Sequence, residues 1–185
     1  MTGRALLALL LLLAGAAGAA EPLFDARGYR VREFRADTGD RPPPGVALID
    51  TIDLGKLVTA GAGALVDVLP VPPRPATLPA GALWLPPARN DIPGSLWLPD
   101  LGLPALSPER ETRFRATLAA FLAGRAGPVV VYCLERCWLS WNAARRLAEW
   151  GVSDVRWYPE GTDGWAAAGL PTARAEPAVR PEEFP

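Results

Sequence analysis

Two cysteines, Cys133 and Cys137, lie four residues apart in the run YCLERCWLSWNAARR and are the only thiols in the sequence. A thiol can attack a disulfide, carry a sulfur atom or bind a soft metal, and the thiolate is the form that reacts. A pair this close also suits a disulfide clip. Such a clip closes a short loop and removes little unfolded-state entropy, so stability alone is a weak reason for it. Both a redox role and a structural clip stand as readings. Histidine is absent. That excludes Ser-His-Asp and Cys-His hydrolases, histidine-ligated metals and haem attachment through Cys-x-x-Cys-His. Met1 is the only methionine and Lys56 the only lysine, so no metal site and no cofactor is expected. If the chain is an enzyme, its nucleophile is a thiol.

Regular elements must position that thiol. Pro128 opens the apolar run VVVYC, which reads as a buried strand ending at Cys133, and a helix is expected from Trp138 to Trp150, stopped by Gly151. In an open α/β sheet, ligands bind beyond the carboxyl ends of strands, and loop amides with a helix N-terminus favour an anion there. This placement predicts the lower pKa for Cys133, with Cys137 as the resolving thiol; the alternative is an inert, buried cysteine. Leu134, Glu135, Arg136, Trp138 and Ser140 make up the expected anion-binding loop. Asp67, Trp141, Asn142 and Trp165 are the expected pocket residues. Asp67 ends another buried strand, Ala64 to Leu69, and reads chiefly as a capping acceptor, secondarily as a charge that tunes the thiol. Five of the seven tryptophans fall between Trp138 and Trp165. Trp150 and Trp157 read as core; Trp138 and Trp141 can wall a pocket or fill the core.

Further elements complete the pattern. Ser107-Pro108, followed by Glu109 and Glu111, starts a helix that carries Phe114, Leu118, Phe121 and Leu122 on one face and stops at Gly124. Val155, Trp157 and Tyr158 mark another strand, Thr51 a helix N-cap, and Tyr29 to Arg35 an edge strand. More than half of the 21 prolines fall between Pro70 and Pro108, where long helices are excluded. Strand and helix alternate, which predicts an α/β fold with a central mainly parallel sheet and helices on both faces, a three-layer arrangement.

Residues 1–20 read as a signal peptide: a basic start at Arg4, an apolar run too short to span a membrane, then small residues. About 165 residues would remain, one domain by length. The expected division is a signal peptide over 1–20, an N-terminal extension over 21–60 packing on the domain, the domain itself over 61–171 and an irregular tail over 172–185. The chain holds 19 basic and 20 acidic side chains, which gives no basic surface for nucleic acid. No membrane span is expected. An exported, oxidising compartment is implied.

In order and spacing, ALVDVLP, IPGSLWLP, GPVVVYC and SWNAARRLAEWGVSDVRWYPEGTDGWAAAGLP resemble the rhodanese-like domain. More narrowly, YCLERCWLSWNAARR, WYPEGTDGW and GYRVREFRA resemble the PQQ-dependent catabolism-associated CXXCW motif proteins. The resemblance implies a rhodanese-like fold and a periplasmic protein accessory to PQQ-dependent alcohol catabolism. Its partner would be a quinoprotein dehydrogenase system or a redox partner. It also implies sulfurtransferase or thiol-disulfide chemistry at Cys133 and Cys137. A non-catalytic accessory module with a structural Cys133–Cys137 disulfide is the alternative. Six residues, Leu134 to Leu139, separate Cys133 from Ser140, one more than sulfurtransferase loops usually have. Trp138 stands where many of them carry arginine.

Overall fold

The computed structural model describes residues 21–179. Residues 1–20, where the signal peptide is expected, lie outside the described residues. Five short strands form one parallel sheet: β1 (Ala47–Leu48), β2 (Ala64–Asp67), β4 (Leu96–Trp97), β5 (Val129–Tyr132) and β6 (Val155–Tyr158), in the order β1-β6-β5-β2-β4. A second, antiparallel pair joins β3 (Arg89–Asp91) to β7 (Ala173–Ala175).

Successive strand residues point to opposite faces, and both faces are covered. On one side Val66, Val129, Val131, Cys133, Val155 and Trp157 pack under α2 (Pro108–Leu122) and α3 (Trp138–Glu149). On the other, Leu65, Val130, Tyr132 and Tyr158 pack under α1 (Thr51–Thr59) and α4 (Gly161–Ala167). Double burial explains why β2 and β5 read as continuous apolar runs. The expected α/β architecture, with helices on both faces, is the observed one.

The α2 start matches its sequence signal: Ser107 caps it, accepting the Arg110 N–H at 3.3 Å, with Pro108 in the first turn. At α1 the expected cap is off by one residue. Asp50, not Thr51, is the N-cap and accepts the Asp53 N–H at 2.8 Å. A carboxylate one position earlier reaches the same amide, leaving Thr51 free to bond Tyr158.

Three expected boundaries change. The Tyr29–Arg35 segment is not a strand. Its backbone pairs only at isolated points, Arg30 with Phe24 and Arg35 with Cys137, and Glu33 between them takes a left-handed φ of 50°. The 21–60 extension splits in two: residues before Val46 lie across α3 as a strap, whereas β1 and α1 belong to the sheet and its covering layer. The stretch after Pro171 is tied down as far as it is described. Ala173 to Ala175 pair with β3, the Ala178 N–H bonds Trp97 O at 2.9 Å, and Val179 is buried.

Candidate functional site

Cys133 comes directly after β5, and Cys137 is the N-cap of α3. Between them Glu135 and Arg136 form a tight turn, with Arg136 at a φ of 55°. The turn is clamped from the α4 side. Thr162 N–H donates to Cys133 O at 3.1 Å, Leu134 pairs with Gly161, and Asp163 Oδ2 accepts the Glu135 N–H at 3.0 Å. A Cβ on Gly161 would stand 2.5 Å from the Leu134 carbonyl carbon and 2.7 Å from Cys133 O, so only glycine permits this approach. One loop amide expected to hold an external anion therefore already holds the chain's own carboxylate.

The two sulfurs interact directly, and the structure reverses the expected order of acidity. Burial pushes the Cys133 thiol well above its ordinary range; its hydrogen bond to Cys137 and the nearby Asp67 charge push the same way. Cys137 is held down to about 6, first by that hydrogen bond from Cys133 and then, against desolvation, by the amides of Leu139, Ser140 and Leu134. At the N-cap the Cys137 sulfur sits beside the amides that a helix N-terminus leaves unpaired, and these favour its thiolate. The lower-pKa sulfur is thus Cys137, and Cys133 is its S–H donor. Both are nearly inaccessible, at 0 % and 2 % exposure.

The strap explains that burial. Phe34 O accepts the Trp138 N–H at 2.8 Å, Arg35 pairs with Cys137, and Phe34 packs against the cluster holding both cysteines. Trp138 and Trp141 hold the strap. Their indole N–H groups donate to Asp37 O (3.2 Å) and Arg41 O (3.0 Å), Phe24 meets both rings edge-on, and Arg30 stacks 4.8 Å above Trp138.

Asn142, also expected in the pocket, is a buried anchor. It accepts the Arg30 N–H and donates to Arg30 O and Gly102 O, all near 2.9–3.0 Å. Ser140 donates to Cys137 O at 2.8 Å and accepts Trp157 Nε1–H at 3.0 Å, so its hydroxyl orients the cap and offers no anion site. Trp165 lies on the opposite face of the sheet, buried with Leu54 and Tyr158, its N–H on Pro171 O. Arg136 is exposed on the turn.

Asp67 performs the capping expected of it, accepting the Leu69 N–H at 2.9 Å. It also holds Arg89, whose Nε donates to Asp67 Oδ2 at 2.7 Å in a pair almost wholly out of solvent. Around this pair lies a polar cluster that sequence reasoning missed. Asp91 is buried near it, raised to about 7 by desolvation and the Asp67 charge despite Arg89. The Tyr132 hydroxyl accepts the Ile92 N–H and bonds Ser95. Arg89 Nη2 and Asp91 Oδ2 are buried without a partner. The strand end at Asp67 was the available signal, since a buried carboxylate needs a cation; which arginine supplies it is set by a contact 22 residues away. Among the described residues, no three Cys, Asp or Glu side chains come together to hold a metal ion, and no helix is long and apolar enough to cross a membrane.

No protein-family model and no curated protein matches the sequence. Among solved structures, the chain is similar to a thiosulfate sulfurtransferase from Pseudomonas aeruginosa, with a TM-score of 0.44 and 23% identity over 72% of this chain. It spans only 20% of that protein's length. The BH2092 protein from Bacillus halodurans gives a TM-score of 0.44 and 16% identity, covering 75% of this chain and 88% of that one. Values at this level carry no chemistry from those proteins to this chain.

Proposed function

We propose that this chain is an exported, rhodanese-like dithiol protein that exchanges disulfides or sulfur, with Cys137 as the attacking thiolate and Cys133 as its partner. The supporting observation is the thiol pair itself: Cys137 at the N-cap of α3, held down to about 6, beside the buried Cys133 thiol that stays protonated. At neutral pH the pair carries one negative charge, on the sulfur that faces the amides.

The exchange runs in two displacements. The Cys137 thiolate attacks a partner disulfide, forming a mixed disulfide and expelling one partner thiolate. Cys133 then gives its proton to solvent and attacks the Cys137 sulfur, expelling the second partner thiolate and closing Cys133–Cys137. The pair is oxidised by two electrons and the partner disulfide is reduced to two thiols. Because both sulfurs are covered, each turnover requires the strap at Phe34–Arg35 to lift. In the cell, the sequence resemblance assigns this chemistry to the periplasm, in support of a PQQ-dependent alcohol-oxidising system. The burial of both sulfurs favours a second reading, in which the pair closes into a structural disulfide of a non-catalytic accessory module.

Thiol alkylation against pH in single variants tests the assignment. Cys133→Ser should leave a thiol that still labels below pH 7 and traps a mixed disulfide with a small aromatic disulfide reagent. Cys137→Ser should lose labelling in that range. Fast labelling of Cys133 in Cys137→Ser would overturn the order of roles. Two thiols that both titrate near 8.5, with equal stability losses in both variants, would leave the structural reading in its place.

A further inference from the structure

The strap that covers both sulfurs is anchored at its two ends and lightly held between them. Tyr29 and Arg30 are buried on one side and Pro43 and Val46 on the other, whereas no residue from Val31 to Pro42 is buried. Asn142 bonds both the N–H and the C=O of Arg30, and the Arg30 side chain holds the left-handed turn at Glu33 through Arg32 O and Glu33 O. Beyond that turn, the hydrogen bonds from α3 run to the main chain of the strap. Trp138 N–H donates to Phe34 O at 2.8 Å, Trp138 Nε1 to Asp37 O at 3.2 Å and Trp141 Nε1 to Arg41 O at 3.0 Å, while Arg35 pairs with Cys137 itself. Phe24 and Arg30, which precede the turn, brace the Trp138 ring, and Phe24 also meets Trp141. The donors therefore keep their places when the later residues swing away on Glu33.

Given dithiol exchange at Cys137, on which this rests, we propose that the strap occupies the place of a polypeptide substrate. An extended segment carrying the disulfide displaces Phe34–Arg41 and offers its own carbonyls to the same three N–H groups. Recognition through main-chain carbonyls is indifferent to side chains and suits partners of different sequence, whereas a small sulfur donor has no row of carbonyls to offer. A cysteine that takes the position of Arg35 lies directly across from Cys137, and cross-strand partners are separated by the distance that disulfide-bonded cysteines require. The Cys137 thiolate attacks the sulfur of that cysteine and expels its former partner as a thiolate. Cys133, losing its proton to solvent, then attacks Cys137, releases the segment as a thiolate and closes Cys133–Cys137. The segment's disulfide is reduced to two thiols and the pair is oxidised.

The test uses Cys133→Ser protein, which stops at the mixed disulfide, and two disulfides of thionitrobenzoate, whose coloured thiolate reports the rate. One carries a peptide with the strap's own sequence from Phe34 to Arg41 and Arg35→Cys; the other carries N-acetylcysteinamide. Reacting sulfur and leaving group are the same in both. The peptide should react at least about tenfold faster at low concentration, with a rate that saturates, while the small disulfide stays linear. A peptide with its other side chains shuffled should keep that advantage to within about threefold. Trp138→Phe and Trp141→Phe each remove one indole donor and keep a ring, and each should cut the peptide's advantage about fivefold. Should either variant fail to fold, the two peptides against the small disulfide still decide. Equal rates for peptide and small disulfide, an advantage that shuffling abolishes, or an undiminished advantage in both tryptophan variants would overturn the proposal and leave dithiol exchange standing. A Cys137 inert to every reagent at neutral pH would overturn both.

Discussion

Asp67 and Tyr132 are register partners at the carboxyl ends of β2 and β5, and Cys133 is the next residue after Tyr132. The two strand ends are neighbours in one parallel sheet, both buried, and both carry an ionisable group at or just beyond their last residue. Their electrostatics are opposite. After β5 the chain makes one turn and enters α3, so the helix amides face Cys137 and its thiol is held down to about 6. After β2 it enters a proline-rich loop with no helix start. There one arginine and a few backbone amides, those of Leu69 and Val68 at Asp67, do not outweigh desolvation, and the Asp67 and Asp91 carboxyls are both raised. The end of a strand does not by itself favour an anion. The element downstream of the strand decides, because unpaired helix amides supply what a loop does not.

The largest effect should come from breaking the β2 side. Arg89→Leu leaves the Asp67 carboxyl buried without its cation and should cost about 3–5 kcal/mol, read as a large fall in Tm. The double variant Asp67→Leu with Arg89→Leu should recover most of that loss, since two apolar groups need no partner. A single variant as stable as the parent would mean the pair contributes nothing.

Next in size is Asp91. Its folded pKa, about 7, lies above the ordinary aspartate value of 3.8, so the folded state binds more protons between those values. Stability must then be fully present below about pH 4 and fall as pH rises through 7. Asp91→Asn should remove that fall, on the order of 2 kcal/mol between pH 4.5 and 8. Parent and variant are compared by urea midpoint at the two pH values. The β5 side should move the other way. A depressed Cys137 stabilises the fold above the unfolded thiol's pKa, and that contribution is lost as pH falls through about 6. A parent whose stability rises steadily from pH 4.5 to 7 would remove the contrast between the strand ends.

Local signals in the sequence carried the framework. Continuous apolar runs marked β2 and β5, Ser107-Pro108 marked the α2 start, and alternating strand and helix implied a parallel sheet. The site was half legible. A thiol at a strand end before a helix was visible, but the sulfur facing the amides is the residue just before Trp138, and the N-cap rule applied to Cys137 would have found it. The roles of Trp138, Trp141 and Asn142 were not readable. Their partners, Asp37, Arg41 and Arg30, lie 100 or more residues away in the chain, and an indole on a helix surface looks the same whether it lines a pocket or anchors a strap. The edge strand at Tyr29–Arg35 failed for a related reason: its alternation reflects a segment lying on α3, with Asn142 taking the backbone bonds that a sheet neighbour would take.

The smallest effect tests whether the strap, and not the pKa, limits the thiol. Phe34 is half-buried against the cysteine cluster, and its carbonyl holds the Trp138 amide. Phe34→Ala keeps the carbonyl and removes the ring, so it should weaken closure of the strap while leaving the amides around Cys137 in place. If local opening limits access, a loss of about 1 kcal/mol in closure raises the alkylation rate of Cys137 roughly fivefold. The pH midpoint of that rate should stay where it is, because no charge or amide donor near the sulfur has changed. Arg89→Leu, on the other strand end, should leave the opening rate alone in whatever fraction remains folded. A Phe34→Ala protein that labels at the parent rate would show that the sulfurs open by another route. A shifted midpoint would show that the strap helps to set the thiol's acidity, and the contrast between the two strand ends would then depend on the strap as well as on the helix or loop that each strand leads into.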